Sequence, residues 1–398
     1  MLAARMQEDE ELDWLALRMV PGLGARTAAK LLERFRAPGA IFRASRSELE
    51  AAGATGSLAQ TIVSGCAFED AVTQREKMKA AGAVALPLTD PRYPARLRQI
   101  FDPPIVLFAR GRLELLANLM LAIVGTRRPT PYGIAVTERL AADLGRAGLV
   151  IASGMARGID TAAHRGALAA GAPTVAVLGC GADVVYPTEN RNLAAEIIEK
   201  GLLVSEFPMG SPAYPQNFPI RNRIISGLSA GVMVIEGAQY SGSAITARLA
   251  LEQDREVFAV PGNITSKMSW GPNLLIKQGA KLVQDFNDVL EELSPEDRRW
   301  LAAQRQPELF EQPAADAARP ALPEGPAAVV AARVLDRLRV DAATHIDQLL
   351  ESLEEFSSSE IIAALFELEM TGAVRQLAGK NFVKVWGEPL LPAERGRA

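Results

Sequence analysis

Phe218, Arg221 and Arg223 stand close together in the sequence and suit the binding of a nucleic-acid strand. Phe218 lies three residues before Arg221, and Arg221-Asn222-Arg223 places two fixed positive charges one residue apart. Guanidinium groups bind phosphate oxygens through paired N–H donors, and an exposed aromatic ring stacks on a base. The spacing predicts contact with a phosphodiester strand, with Phe218 as a stacking platform.

A second candidate is the small turn Tyr240-Ser241-Gly242-Ser243. It follows the strand-like run Val232-Met233-Val234-Ile235-Glu236 and precedes a helical run from Ala244 to Gln253. Small residues between a strand and a helix let an anion approach unpaired backbone N–H groups at the positive end of the helix dipole. Simple N-capping by Ser241 or Ser243 is the plainer interpretation, and both can hold at once.

The same arrangement occurs three more times upstream, which calls for elements that bring the loops together. Apolar runs at 121–124, 149–152 and 175–178 each lead into a glycine-containing loop. The first two loops supply the candidate ligands Gly125, Thr126, Arg127, Arg128, Ser153, Gly154 and Arg157. Strands that alternate with helices predict a parallel sheet, whose carboxyl edge would gather these loops.

Several of these residues have a plainer structural interpretation. One arginine of the 221–223 group is a possible ion-pair partner of Glu206 or Glu236. Asp160 and His164 are four residues apart and share a helix face, so an acid–base or metal pair is conceivable. A bracing role for Asp160 and a structural role for His164 are favoured, because no third ligand or nucleophile has a compelling spacing.

Composition limits the classes of protein to consider. The net charge of the chain is −4, yet residues 120–285 hold 15 Lys/Arg and 13 Asp/Glu, so the positive charge concentrates where the loops lie. Two distant cysteines fit a reducing cytoplasm, and two histidines leave few members for a zinc site or a Ser-His-Asp triad. No apolar run approaches the ~20 residues of a membrane span, and the acidic N-terminus lacks a signal-peptide core. We therefore expect a cytoplasmic protein without a metal or cofactor.

Four segments of the sequence together resemble a known protein family. IVGTRRPTPYG, SGMARGIDTAAH, NFPIRNRIISGLS and YSGSAITARLALEQDREVFAVPG closely resemble the DprA family, also called Smf, over roughly Leu86 to Val283. The resemblance implies a Rossmann-like core that binds single-stranded DNA, forms a homodimer and hands the strand to the RecA recombinase during natural transformation. In the family, the Gly-Ser/Thr-Arg motif contacts phosphate, which here points to Arg127. The family often carries a lysine just before the matching phenylalanine, whereas this chain has Pro215 and Gln216.

The predicted architecture is an α/β protein, an extended Rossmann-like parallel sheet flanked by two smaller domains. Residues 1–82 resemble the family's helical SAM-like domain, with a helix-hairpin-helix pattern at Pro21-Gly22-Leu23-Gly24. A tight helix–helix turn packed for structure is the favoured interpretation, because Arg18, Arg26 and Lys30 make only a thin basic patch. The core spans 83–295, and a proline-containing flexible linker spans 296–326. Residues 327–388 read as helices followed by a hairpin, which suggests a winged-helix domain.

The C-terminal domain departs from a DNA-binding winged helix. Residues 327–386 hold six basic and nine acidic residues, and the candidate recognition helix from Ser358 to Met370 has Glu360, Glu367 and Glu369 but no Lys or Arg. Dense phosphate charge would repel such a helix. We interpret this domain as a protein-interaction module.

Two further hypotheses concern assembly and activity. Family members pair through the end of the core, which assigns Met268, Leu274 and Ile276 to a dimer interface.

The rival function is a nucleotide-hydrolysing enzyme, such as a nucleoside-monophosphate phosphoribohydrolase. Enzymes of that kind have a loop that resembles Pro-Gly-Gly-x-Gly-Thr, with a downstream Glu at the catalytic position. This chain has Tyr240-Ser241-Gly242-Ser243 and no Glu shortly after it. An NAD dehydrogenase fits less well, because Gly125-Thr126-Arg127 is not Gly-x-Gly-x-x-Gly. We expect a non-enzymatic binding protein.

Overall fold

The computed structural model describes residues 2–238, 241–305, 326–339, 342–371, 373–377 and 379–385. Six helices open the chain: α1 Leu2–Met19, α2 Ala25–Phe35, α3 Pro38–Arg43, α4 Arg46–Ala51, α5 Gly56–Val63 and α6 Ala67–Ala81. Their apolar faces share one cluster with the first two strands of the sheet, in which Trp14 and Leu15 accompany Val106 and Phe108. The helical segment is therefore packed against one end of the sheet.

A nine-stranded sheet runs through the middle of the chain. Its strands are β1 Val84–Pro87, β2 Val106–Gly111, β3 Met120–Gly125, β4 Val150–Ser153, β5 Thr174–Leu178, β6 Leu202–Ser205, β7 Gly231–Ile235, β8 Glu256–Ala259 and β9 Lys281–Leu282. They are ordered β1-β2-β6-β5-β4-β3-β7-β8-β9, and all neighbours from β6 to β9 are parallel. Only the β1–β2 and β2–β6 pairs are antiparallel.

Helices cover both faces of this sheet because successive strand residues point to opposite sides. On β3, Ala122 and Val124 pack towards one helical layer, while Leu121 and Ile123 pack towards the other. The first layer contains α7 Ala95–Arg98, α11 Asn217–Leu228, α12 Gly242–Glu252 and α13 Trp270–Lys277. The second contains α8 Pro131–Arg146, α9 Ile159–Ala169, α10 Arg191–Lys200, α14 Phe286–Glu292 and α15 Pro295–Arg305. Short 3-10 helices occupy Leu113–Ala117, Thr188–Asn190 and Lys267–Ser269.

The C-terminal unit has its own small core. It contains α16 Pro326–Arg337, α17 Ile346–Ser352 and α18 Ser358–Met370, with strands β10 Thr344–His345, β11 Val374–Leu377 and β12 Asn381–Lys384 in the order β10-β12-β11. Val334, Leu365 and Phe382 are buried in its centre. It touches the larger sheet domain where Arg375 donates a 2.9 Å hydrogen bond to Glu138 on α8.

The predicted α/β class with N-terminal helices and a C-terminal winged helix is confirmed. The predicted parallel sheet is found from β6 to β9, and at one end β1 and β2 are antiparallel to each other and β2 runs antiparallel to β6. The start of the predicted flexible linker is also corrected, because 296–305 belong to α15, whose Leu301 is buried in the core and whose Asp297 bonds Arg96. Residues 306–325, the remainder of that prediction apart from Pro326, lie outside the described residues.

Candidate functional site

The four strands with glycine-containing ends are neighbours, as the sequence predicted. β5, β4, β3 and β7 lie side by side and parallel, so the loops after them share one edge of the sheet. We call residues 126–130, 154–158, 179–181, 237–238 and 241–243 the loop edge. The chain leaves β3 towards β4 on one side and later returns as β7 on the other, and such a reversal opens a crevice at the carboxyl ends. A Cβ atom on Gly125 would lie 1.9 Å from the carbonyl oxygen of Ile235, so only glycine fits where β3 and β7 meet.

Arg127 and Phe218 come together at this edge. The guanidinium carbon of Arg127 lies 5.4 Å from the centroid of the Phe218 ring, within the range of a cation–π contact. Arg127 is exposed and Phe218 is half-buried. The adjacent Arg128 is exposed as well, and its backbone N–H donates to the Thr126 hydroxyl at 3.2 Å. A phosphate donor and a stacking surface are therefore presented side by side.

Tyr186 enlarges the aromatic surface and was missed in the sequence. The Tyr186 ring lies 5.5 Å from the Phe218 ring with a 33° tilt, and its side chain is 45% exposed. Tyr214, on the segment leading into α11, is 52% exposed. Tyr186 follows the Gly179-Cys180-Gly181 loop, so a search for aromatic residues after each strand end would have found it.

The structure buries Arg221, which was predicted to contact phosphate. Its side chain is 3% exposed, and Nη1 donates a 2.8 Å hydrogen bond to the carbonyl of Val177 at the end of β5. Burial lowers the pKa of the guanidinium to about 10, and the neighbouring Asp160 carboxylate opposes this shift. Arg221 thus contributes a positive charge beneath the loop edge rather than a side chain on its surface. Asn222 is half-buried.

Arg223 is taken up by an ion-pair network on the far side of α11. Its guanidinium forms two hydrogen bonds to the Glu206 carboxylate, at 2.8 and 2.7 Å, and also lies 3.2 Å from Asp102. Arg18 of α1 donates to the backbone carbonyl of Glu206 at 3.0 Å. The ion-pair interpretation with Glu206 is therefore confirmed for Arg223, and the prediction that it faces a phosphate strand is corrected, because only 7% of it is exposed.

The loop after β4 presents one of its three predicted ligands to the surface. Ser153 is fully buried, and its hydroxyl donates to the carbonyl of Ile123 at 2.6 Å, which places it in the sheet rather than at the edge. Gly154 is also buried. Arg157 is exposed and pairs with Glu189. Of these three, only Arg157 is positioned to meet a ligand in solution.

The N-termini of α8 and α12, both beside the crevice, differ in whether a protein carboxylate is bonded there. At α8, Glu236 accepts hydrogen bonds from the backbone N–H and the hydroxyl of Thr130, so a protein carboxylate already occupies that N-terminus. At α12, Ser241 is the N-cap without a side-chain cap bond, and its hydroxyl lies 2.8 Å from that of the buried Ser243. Gly242 is exposed. The plainer interpretation, N-capping by Ser241 or Ser243, is therefore not seen in the hydrogen bonds of these two hydroxyls. Tyr240 lies outside the described residues.

Asp160 and His164 are both buried, and the described residues show no hydrogen bond between their side chains. Asp160 accepts from the backbone N–H of Ala156 at 3.2 Å and from that of Gly154, as a brace for the loop. His164 Nδ1 lies 2.7 Å from the Thr174 hydroxyl. Burial lowers the pKa of His164 to about 3, so the ring is neutral at ordinary pH. Both findings agree with the structural roles that the sequence favoured.

The proposed dimer residues lie around α13, whose start contacts the loop edge: the Gly237 N–H donates to the carbonyl of Met268 at 2.6 Å. Met268, Leu274 and Ile276 are half-buried. Trp270 at the start of α13 is 41% exposed. Within the described ranges there is no group of three or more His, Cys, Asp or Glu side chains that could hold a metal ion, and no helix has the length and apolar character of a membrane span.

Comparison with known proteins gives consistent matches over the sheet domain and the C-terminal unit. The family model described as DNA recombination-mediator protein A matches residues 85–294, and the one described as DprA winged helix domain matches 313–380. The chain is 46% identical over 213 residues to DNA processing protein DprA of Bacillus subtilis, covering 53% of this chain and 72% of that protein. It is 40% identical over 295 residues to protein Smf of Escherichia coli, covering 74% and 75%. The X-ray structure of DprA from Streptococcus pneumoniae superposes with a TM-score of 0.63 at 37% identity, covering 70% of this chain and 96% of that one.

Proposed function

Because the chain belongs to the DNA recombination-mediator protein A family, we propose that it binds single-stranded DNA at the loop edge. The observation that carries this proposal is the pairing of Arg127 with Phe218 at 5.4 Å, with the Tyr186 ring 5.5 Å from Phe218. A phosphate bound to the guanidinium would bring its base to a surface made of aromatic rings.

The chemistry of this edge favours a single strand over a duplex. Stacking on a protein ring requires a base that has left its partner, and a duplex keeps its bases stacked inside. Exposed guanidinium groups such as those of Arg127 and Arg128, and the backbone amides at the start of α12, are groups that bind phosphate rather than read base edges. Binding is therefore largely independent of sequence.

The direct test is a titration of the purified protein against a labelled oligonucleotide. Fluorescence anisotropy with a single strand of about 20 nucleotides, and with the matching duplex, compares the two substrates at several salt concentrations. We expect tighter binding to the single strand and a steep loss of affinity as salt rises. Equal affinity for the single strand and the duplex, or an affinity that does not change with salt concentration, would overturn the proposal.

Delivery of the strand to a RecA recombinase during natural transformation rests on the family alone. The protein is expected to protect the strand and to speed RecA filament formation on single-stranded DNA. A strand-exchange reaction with and without the protein tests this separately from binding.

The rival enzymatic function has no support from the geometry. Glu236 is hydrogen-bonded to Thr130, Glu206 is held by Arg223, and Asp160 is buried against backbone amides. These three carboxylates are engaged in the structure, whereas a general base must reach a substrate. Release of free ribose from nucleoside monophosphates by the purified protein would revive the enzymatic interpretation.

A further inference from the structure

We propose that Arg221 and Asp160 are a positioning pair, which holds the 154–158 loop and the start of α11 in the geometry that DNA binding requires without touching the DNA. The inference rests on the function proposed above and gives these two residues a different task from that of Arg127.

Arg221 is anchored from below the loop edge. Nη1 bonds the carbonyl of Val177, and the side chain is 3% exposed. The Val177 carbonyl engages Nη1, and the low exposure leaves little of the guanidinium at the surface. The side chain therefore ties α11 to the end of β5.

Arg221 and Asp160 approach each other beside Gly154. A Cβ atom on Gly154 would lie 1.9 Å from Arg221 Nη1 and 2.7 Å from Asp160 Oδ2, so the guanidinium and the carboxylate converge over a residue without a side chain. Asp160 also accepts the N–H groups of Gly154 and Ala156. The carboxylate thus fixes the loop after β4 while it balances the buried charge of Arg221.

The same pair acts on the aromatic surface through α11. Phe218 precedes Arg221 by one helical turn, and the Arg221 guanidinium carbon lies 5.9 Å from its ring centroid. Asn217 adds a second anchor, because its Nδ2 donates to the carbonyl of Gly179 at 3.0 Å. A shift of Arg221 would therefore move both the loop and the ring that flank Arg127.

Two substitutions that remove the same charge separate a positioning role from direct phosphate binding. Asp160→Asn and Glu189→Gln each delete one negative charge near the loop edge, and Glu189 is the surface partner of Arg157. If Arg221 binds phosphate directly, Asp160→Asn binds oligo(dT) more tightly, as Glu189→Gln is expected to do when it releases Arg157 from its surface partner. If Arg221 and Asp160 position the loop, Asp160→Asn weakens binding, because a neutral amide no longer balances the buried charge of Arg221 and accepts the backbone N–H of Ala156 less strongly than a carboxylate does.

We expect Asp160→Asn to bind roughly tenfold more weakly, about the effect of losing one charge-assisted contact. Its salt slope should match the wild type, since the number of phosphate contacts is unchanged. Glu189→Gln should bind equally or more tightly. Tighter binding by both variants would overturn the inference.

A spectroscopic signal and a second variant keep the test independent of folding. An oligonucleotide with 2-aminopurine reports stacking, and Asp160→Asn should show less quenching than the wild type even when saturated. Should Asp160→Asn fold poorly, Arg221→Lys keeps the charge but not the planar fork. Wild-type affinity and quenching in Arg221→Lys would then sink the positioning role.

The outcome is also separable from that of the proposed function. Hydrogen exchange of the Gly154 and Ala156 amides needs no DNA, and it should accelerate in Asp160→Asn. Unchanged exchange would contradict the pair. Absence of any oligo(dT) binding by the wild type would instead remove the proposed function and leave the structural role of the pair standing.

Discussion

The guanidinium of Arg127 faces the ring of Phe218 at 5.4 Å, which joins the end of β3 to the first turn of α11. Arg127 lies two residues after Gly125, the last residue of β3, and Phe218 is the second residue of α11. Neither position is close to the other in sequence. The parallel sheet brings them together, because the loops after its strands and the segments before the returning helices share one edge.

Replacement of Arg127 by alanine should weaken binding to single-stranded DNA of any sequence. A lost charge-assisted hydrogen bond predicts roughly tenfold lower affinity or more, and a salt slope shallower by about 0.7. Anisotropy titrations of oligo(dT) at several salt concentrations measure both quantities.

Arg146→Ala is the matched control for Arg127→Ala. It also removes an exposed guanidinium, but from the last turn of α8, where Arg146 pairs with Asp143. Its affinity and salt slope should equal those of the wild type. Identical losses in the two variants would show that the general charge of the domain, rather than the loop edge, governs binding.

Replacement of Phe218 by alanine should lower affinity without changing the salt slope. Stacking of one base on an aromatic side chain contributes about 1–3 kcal/mol and involves no counterion. Tyr186→Ala should behave in the same direction, because its ring continues the surface. Phe101→Ala removes a ring that is 76% exposed near α2, and it serves as the control with wild-type affinity. Equal affinity of Phe218→Ala and Phe101→Ala would contradict the stacking role.

The fold could be predicted from the sequence because its signals are local. Apolar runs that end in glycine and alternate with helical segments specify parallel strands with crossover helices, and the structure places the four predicted strands side by side. The antiparallel entry through β1 and β2 was not predicted. The pairing of β2 with β6 depends on a long-range contact that no local pattern encodes.

The site was predicted only in part because burial depends on helix geometry. Arg221 and Arg223 are two residues apart, and such positions point to different sides of a helix. One therefore turns to the Val177 carbonyl beneath the loop edge, and the other to Glu206 and Asp102. A sequence shows two adjacent charges, whereas their surroundings come from elements that are distant along the chain.

His164 should make the stability of the core depend on pH. Burial holds its pKa at about 3, below the ordinary value of 6.5, so unfolding takes up a proton between these limits. The stability is complete above about pH 6.5 and decreases as pH falls towards 3. Between about pH 7 and pH 5 the wild type should lose ~2 kcal/mol more than His164→Asn. Urea unfolding at several pH values measures this, and parallel curves for the two proteins would refute it.

The isolated C-terminal unit should fold but fail to bind DNA. Its third helix, α18, is capped by the Ser357–Glu360 box and packs Leu365 into a core of its own. The outer surface of that helix carries exposed Ile362 and Phe366 beside glutamates, which suits a protein partner better than phosphate. A fragment of residues 327–388 is tested by circular dichroism and by anisotropy with single-stranded and duplex DNA. Strong binding by the folded fragment would reverse this assignment.

A charged substitution on the apolar surface around α13 should dissociate a homodimer. Leu274 and Ile276 are half-buried in one chain, and Trp270 beside them is 41% exposed. In a symmetric dimer the same residue lies on both sides of the contact, so Leu274→Glu or Ile276→Glu introduces two buried carboxylates at once. Light scattering should give the mass of a dimer for the wild type and of a monomer for either variant. Val63→Glu, at an exposed position on α5, is the control that should remain dimeric. A monomeric wild type, or variants that lose their circular dichroism instead of dissociating, would show that these side chains complete the core of a single chain.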